Sequence, residues 1–229
     1  MRGLRGGKIQ LAIGEGFVSA ISSLLQKFVT KNAGVLLSVS ADSTHDVIRH
    51  VVDDEAHIGL VFHAPADPRL SVRCSIPQPI KLIVHPENLL AKASSVALNQ
   101  LSDQRLCMPE SGFRIRQIVN MAETQDRVSL SPRITTNSLL LLREMVKSGE
   151  YVTLLPEIAA ITEIKSGELV SIPVDSSAMQ STSLNVVCRL GRALPVAPAA
   201  LLPLLESALR NLLRTNADKP RASSGVRRS

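Results

Sequence analysis

The chain has 229 residues, of which 45% are apolar, and a mean hydropathy of +0.15, which excludes an intrinsically disordered or collagen-like protein. Aromatic residues make up only 2%, which argues against a stacking surface for single-stranded nucleic acid. The formal charge of +6 comes from the two ends, because residues 9 to 209 sum to −2. We therefore expect residues 215 to 229 to form a disordered basic tail rather than a polyanion-binding face.

Cysteine usage and hydropathy predict a soluble, cytoplasmic protein. Cys74, Cys107 and Cys188 are odd in number and lack metal-ligand spacing, so we expect buried thiols in a reducing compartment and no metal site. No apolar run reaches the roughly 20 residues that a membrane helix needs, and the first seven residues contain no apolar signal region. The turn at residues 14 to 16 lacks the third glycine of a dinucleotide loop, so no cofactor is predicted.

Strand-like and helix-like apolar periods alternate in the first part of the chain. The predicted order is strand (residues 9–13), helix (21–28), strand (35–39), helix (47–52) and strand (58–62). This order predicts a parallel sheet that is covered on both faces. An irregular, proline-containing stretch follows at residues 64 to 69, and a second lobe is expected to begin near the strand at 80–84.

The second part of the chain repeats the α/β pattern. Strands are predicted at residues 106–108, 152–155 and 169–174, and helices at 115–119 and 141–146. The last strand, 184–188, and the helical pattern over 201–212 are expected to return to the first sheet. Two crossings, near 80–86 and 182–188, would then form a hinged cleft. The predicted division is a linker (1–7), lobe I (8–82 with 184–214) and lobe II (83–183).

Polar residues precede predicted helices at two places, Asp42-Ser43-Thr44 and Thr135-Thr136-Asn137-Ser138. Helix capping alone would explain these residue types. Alternatively, the two polar helix starts face each other across the cleft and clamp a small carboxylate-like ligand. Gly14-Glu15-Gly16 also leads from a strand into a helix, where it is either an ordinary tight turn or part of the ligand site.

Catalytic signatures are weak. The five histidines are scattered, and neither a nucleophile elbow nor a zinc-protease helix motif occurs. Cys107 could be a nucleophile, but the sequence identifies no histidine partner for it. We therefore predict that the chain is not an enzyme.

Several segments in a characteristic order carry a resemblance to a known family. They are GKIQLAIGEGFVS (residues 7–19), EAHIGLVF (55–62), TNS (136–138), MVKSGEYVTLLP (145–156) and GELVSIP (167–173). Together they resemble the effector-binding half of LysR-type transcriptional regulators over residues 7 to 210. His57 departs from the family pattern, which usually has aspartate there, and Tyr151 replaces a common glycine.

The resemblance implies an α/β, periplasmic-binding-protein type II-like fold, with two lobes joined by two crossover strands around a small-molecule cleft. It also implies a homodimer or tetramer that contacts DNA only through an amino-terminal domain that this chain lacks. The family's ligand contacts correspond here to Gly16, Phe17, Val18, Ser43, Thr44, Phe62, Thr136, Asn137 and Pro156.

Two further expectations concern ligand and assembly. The effector is expected to be a small anionic or strongly polar molecule, and an organic acid fits better than a nucleotide. An apolar stripe on the helix at 21–28 or at 139–146 is expected to pair subunits. The alternative function is a stand-alone solute-binding protein of the same fold, which would need an export signal.

Overall fold

The computed structural model describes residues 6–217, and its first sheet combines strands from both ends of that range. The order across the sheet is Val35–Asp42 (β2), Gly7–Gly14 (β1), Ile58–Phe62 (β3), Ser183–Arg189 (β10) and Leu70–Pro77 (β4). β1 is parallel to β2 and β3, whereas β10 is antiparallel to β3 and β4. The predicted return of the chain to the first lobe is confirmed by the pairing of β10 with β3.

The edge strand β4 was not predicted, and its residues were left unassigned between the irregular stretch at 64–69 and the strand at 80. Only one of its faces is buried, with Leu70, Cys74 and Ile76 inward, while Arg73 lies at the exposed middle of the strand. A register shift against β10 between Val186 and Val187 further interrupts the alternation. An edge strand of this kind lacks the continuous apolar run that marks the buried strand β3.

Helices cover both faces of this sheet, as predicted. Val18–Lys31 (α1) and Val196–Ala217 (α7) pack together on one face, and Thr44–Val52 (α2) packs on the other. Alternate residues of β1 accordingly enter two separate cores: Ile9, Leu11 and Ile13 join the α1 side, whereas Ala12 joins the α2 side. Residues 215 to 217 continue α7 and therefore are not part of a tail; the remainder of the predicted tail lies outside the described residues.

The second lobe contains two smaller sheets. Thr153–Pro156 (β8), Ile80–Val84 (β5) and Val170–Pro173 (β9) form one, and Cys107–Pro109 (β6) pairs with Ile134–Thr136 (β7) in the other. The helices of this lobe are Arg114–Asp126 (α3), Leu139–Lys147 (α4), Ile161–Ser166 (α5) and Ser177–Gln180 (α6), with 3-10 turns at Leu89–Lys92, Leu98–Leu101 and Glu157–Ala160. One more 3-10 turn, Glu15–Phe17, precedes α1 in the first lobe. β5 is antiparallel to both neighbours, so this lobe does not repeat the parallel order of the first.

The two crossings between lobes lie side by side at residues 77–80 and 180–183. The Gln78 N–H donates to the Thr182 carbonyl at 2.9 Å, and the Thr182 hydroxyl donates to the Gln78 carbonyl at 2.6 Å. The predicted lobe boundary after residue 82 is therefore wrong, because β5 pairs entirely within the second sheet. The first crossing precedes Ile80 rather than following it.

His57 joins β1 to β3 and predicts a pH dependence of stability. The imidazole Nδ1 of His57 accepts the Gln10 backbone N–H at 2.9 Å, and the backbone N–H of His57 donates to the Gln10 carbonyl at 2.8 Å. Burial, and then the Lys8 charge, lower the pKa of His57 below its usual 6.5. The unfolded chain therefore binds a proton first, so this stabilisation is complete above pH 6.5 and falls as the pH drops towards the folded pKa.

We expect His57→Asn to reduce the loss of stability between pH 7 and pH 5, because an amide oxygen accepts the Gln10 N–H without titrating. Urea unfolding at several pH values measures this. His63, whose pKa is also lowered, remains in both proteins and accounts for part of the remaining slope. Identical pH profiles for the two proteins would contradict this account, because they would show that His57 binds its proton equally in the folded and unfolded chains.

Candidate functional site

A small cavity lies between the lobes at the carboxyl ends of β1, β2 and β3. Its volume is about 30 Å³, enough for one or two water molecules. The walls combine apolar side chains with hydroxyl, carboxylate and guanidinium groups from both lobes. They are formed by Gly14, Glu15, Gly16, Phe17, Asp42, Ser43, Thr44 and Phe62 of the first lobe, and by Phe113, Arg114, Ile115, Leu139, Pro156 and Ala159 of the second.

The structure brings together six of the nine predicted site residues. Those that line the cavity are Gly16, Phe17, Ser43, Thr44, Phe62 and Pro156. Val18 is 43% exposed at the start of α1 and does not line it. Thr136 and Asn137 do not line it either, because the actual N-cap of α4 is Ser138, whose Oγ accepts the Leu141 N–H at 3.2 Å.

Ser43 caps the amino terminus of α2 with its side chain. Ser43 Oγ accepts the Asp46 N–H at 3.2 Å and donates to Asp46 Oδ2 at 2.7 Å. This hydrogen bond is the main reason that the pKa of Asp46 lies below its usual value. Ser43 therefore acts as a helix cap, and it also lines the cavity from that position.

Ser43→Ala is expected to lower the free energy of unfolding by about 1 kcal/mol, because the α2 cap is lost. Ser43 makes the capping bond, whereas the neighbouring Asp42 and Thr44 do not. Urea unfolding measures the effect, and the exposed Lys165→Ala is a control expected within about 0.5 kcal/mol of the original protein. Equal stability of the two variants would contradict the assignment of the cap.

Gly16 explains the glycine-rich turn by close approach between the lobes. A Cβ at this position would lie 3.1 Å from the Ala159 Cβ and 3.3 Å from a Leu139 methyl carbon. Gly14 is similarly tight, because a Cβ there would be 3.1 Å from the Phe17 ring. The turn therefore needs glycine at residue 16 for contact across the cleft and at residue 14 to accommodate the Phe17 ring of the same lobe.

Glu15 crosses the cleft. Its carboxylate accepts the Leu139 N–H at 3.1 Å and 3.2 Å, one distance for each oxygen, and the Leu140 N–H at 3.3 Å. These are free N–H groups in the first turn of α4, whose helix dipole also favours a negative charge. From the sequence, Glu15 belongs either to a tight turn or to the ligand site, but no local pattern reveals its partner 124 residues away.

Arg114 makes the second contact across the cleft. Its Nε donates to the His63 carbonyl at 3.2 Å, and its Nη1 donates to Gln117 at 3.2 Å. His63 has an unusual φ of +47°, and burial, followed by the Arg114 charge, lowers its pKa. A wider cavity of about 420 Å³ shares Thr44 and Arg114 with the small one and reaches the charged side chains of Arg49, Asp53, Asp67 and Arg69.

Asp42 ends β2 and contributes a second carboxylate to the cavity wall. Its Oδ2 is buried and has no hydrogen-bond partner in the described part of the chain, although His50 Nε2 is 3.5 Å away. A buried carboxylate oxygen of this kind favours a hydrogen-bond donor or a cation from a ligand.

Other chemistry finds little support in the described residues. All three cysteines are buried and free, and burial raises the pKa of both Cys107 and Cys188 to about 11, which makes a nucleophilic thiolate unfavourable. Within residues 6–217, no group of three or more His, Cys, Asp or Glu side chains could hold a metal ion. No helix in the same range is long and apolar enough to cross a membrane.

Comparison with known proteins agrees with this architecture. The LysR substrate binding domain family model matches residues 2–210. The chain is 23% identical over 194 residues to the HTH-type transcriptional regulator YfiE of Escherichia coli K12, and 19% identical over 180 residues to the HTH-type transcriptional activator CmpR of Synechocystis. The alignments cover 84% and 79% of this chain but 64% and 59% of those relatives, so the chain spans about three-fifths of their length.

Solved structures show the same fold. The regulatory domain of Synechocystis CcmR in complex with 2-PG superposes with a TM-score of 0.78 at 20% identity, covering 90% of this chain and 98% of that one. The effector-binding domain of QuiR in complex with shikimate gives 0.68 at 13% identity, covering 91% and 98%. The two lobes thus have the periplasmic-binding-protein type II-like arrangement, and the chain belongs to the LysR substrate binding domain family.

Proposed function

We propose that the chain senses a small polar effector in the cavity between its lobes, which have to move apart to admit it because the cavity is about 30 Å³ here. Occupancy of the cavity would then be passed to the rest of a LysR-type transcriptional regulator. The family match over residues 2–210 supports sensing by this domain. The observation that carries the choice of site is the convergence of Ser43, Thr44, Asp42 and Arg114 on one apolar-walled space between two hinged lobes.

The mixture of charges on the walls favours a particular ligand class. Glu15 and Asp42 offer carboxylates, whereas Arg114 is the one cationic side chain among the described residues that line the cavity. A purely anionic molecule would meet two like charges. A small acid that also carries hydroxyl or amino groups would match the guanidinium with its acid group and the carboxylates with its donors.

Binding by a regulator is favoured over two alternatives. A solute-binding protein of the same fold would use a similar cleft, but the relatives found are transcriptional regulators. An enzyme would need activated groups, and Cys107, the nucleophile considered from the sequence, is buried with a raised pKa. The proposed role is therefore ligand binding in the cytoplasm, with DNA contacted through a separate domain of the whole regulator.

Assembly into homodimers is part of this proposal, and of the two helices expected from the sequence only the one at 139–146 has exposed apolar residues. Ile21 and Phe28 of α1 are buried inside the lobe and are not available to a partner. Exposed apolar side chains lie at the start of α4 and, among other places, on the edge strand β2, where Leu36 is 72% and Val39 is 42% exposed. An open sheet edge with apolar side chains is suited to pairing with another subunit.

The test is a thermal-shift and calorimetric screen of small hydroxy and amino acids, starting with shikimate and 2-PG because related domains bind them. A binder at 100 times its Kd raises the free energy of unfolding by about 2.7 kcal/mol. Arg114→Met should weaken binding by about 10-fold to 100-fold through loss of a charged hydrogen bond. Lys165→Ala should leave affinity unchanged, and equal affinity in both variants would contradict the site.

A further inference from the structure

The start of α4 forms a wall of the cleft, and a side chain of the opposite lobe already binds it. α4 has nine residues, and its Leu139 and Leu140 N–H groups donate to the two oxygens of Glu15 at 3.1–3.3 Å. A carboxylate at a helix amino terminus is the arrangement that an acidic ligand would otherwise adopt. Glu15 therefore places at this helix the acid group that was expected from the effector on the basis of the sequence.

We propose that Glu15 is a specificity-determining residue, which occupies the α4 amino terminus with a tethered carboxylate and directs an effector's acid group to Arg114 instead. The proposal rests on the function proposed above, since it concerns the same cleft. It follows that a simple carboxylate gains nothing at α4 in this protein, whereas removal of the Glu15 carboxylate creates a carboxylate site there.

Three further observations support this assignment. At the other helix start at the cleft, α2, Ser43 accepts the Asp46 N–H and the Asp46 carboxylate already supplies a negative charge, which disfavours an external anion. The contact of Glu15 is reinforced by its neighbour Gly16, at which even a Cβ would press against Ala159 and Leu139 at 3.1–3.3 Å. The cavity of about 30 Å³ holds only one or two water molecules, so with the lobes as they stand the Glu15 carboxylate alone occupies the α4 amino terminus.

The experiment uses acetate as the probe, titrated against chloride at constant ionic strength. Amide hydrogen exchange at Leu139 and Leu140 reports directly on the occupancy of the α4 amino terminus. In the original protein we expect slow exchange that acetate does not change. In Glu15→Ala we expect exchange at these two amides at least about 10-fold faster, and acetate should restore the protection and raise the Tm.

Two variants serve as controls. Glu87→Ala removes an exposed carboxylate far along the chain and should behave as the original protein. Glu15→Gln keeps the side-chain volume and one amide acceptor, so its exchange should rise less and acetate should not rescue it. This variant also decides the question if Glu15→Ala does not fold, because unchanged exchange in Glu15→Gln would overturn the proposal.

Equal acetate responses in the original protein and in Glu15→Ala would also overturn the proposal. This result is separable from failure of the proposed function, because acetate and amide exchange require no effector. If acetate rescues Glu15→Ala but no small acid binds the original protein, the role of Glu15 stands and the effector assignment fails. If a hydroxy or amino acid binds the original protein but acetate does not rescue Glu15→Ala, the effector assignment stands and the role of Glu15 fails.

Discussion

Arg143→Leu is expected to lower the free energy of unfolding by about 3–5 kcal/mol, because it leaves the Glu163 carboxylate buried without its partner. The Arg143 Nε lies 2.9 Å from Glu163 Oε1, and the two side chains are only 11% and 13% exposed. The Nη1 of Arg143 also donates to the Ala159 carbonyl at 2.9 Å. The pair thus connects α4 and α5 beneath the turn that carries Ala159 to the cavity wall.

Two controls separate this effect from a general loss of charge. The double variant Arg143→Leu with Glu163→Leu should recover most of the stability, because it leaves no unpaired buried charge. Arg105→Leu breaks an ion pair with Glu150 whose side chains are 65% and 64% exposed, and should cost less than about 1 kcal/mol. If urea unfolding gave similar losses for Arg143→Leu and Arg105→Leu, the account of this pair would be contradicted.

Gly59→Ala is expected to cost about 1–3 kcal/mol, because the centre of the first lobe is too tightly packed for one more methyl group. A Cβ at this position would lie 2.8 Å from a Val187 methyl carbon and 2.9 Å from one of Val51. Gly59 therefore allows α2 to approach the sheet where β3 pairs with β10. This accounts physically for the glycine within the EAHIGLVF segment.

Removing the two methyl groups of Val51, one of which obstructs the new Cβ, should partly compensate. We expect Val51→Ala to reduce the additional cost of Gly59→Ala, so that the two changes are not additive in thermal unfolding. Gly112→Ala is the matched control, since a Cβ there meets nothing within 4 Å and should change stability by less than about 1 kcal/mol. Equal losses in Gly59→Ala and Gly112→Ala would show that the packing at β3 can relax.

The sequence predicted those parts of the fold that have continuous apolar periods. β1, β3, β5 and the helices α1, α2 and α7 all bury regular stripes and were placed correctly in order. β4 was missed because it has a single buried face, and β7 because its residues Ile134–Thr136 resemble a polar helix start. The crossing was displaced because β5 is equally apolar whichever sheet it joins.

The candidate site was half predictable for a similar reason. Residues at the carboxyl ends of parallel strands meet at one edge of a sheet, so the polar Ser43 and Thr44 and the apolar Phe62 could be grouped from the first lobe alone. The contributions of Glu15 and Arg114 depend on how the lobes face each other. The contact of Arg114 with His63 joins residues 51 positions apart, and that of Glu15 with Leu139 joins residues 124 positions apart. Separations of this size leave no periodic signal in the sequence.

The most direct test of the central claim is a map of amide hydrogen exchange with and without a bound effector from the screen. Binding between the lobes predicts new protection at residues 14–17, 42–44 and 113–115, which form the cavity walls. A wider groove of about 670 Å³ lies elsewhere on the first lobe, between the end of β10 and α7, and is lined by Arg73, Arg192 and Leu202 among others. Protection confined to that groove, with residues 42–44 and 113–115 unchanged, would contradict the account.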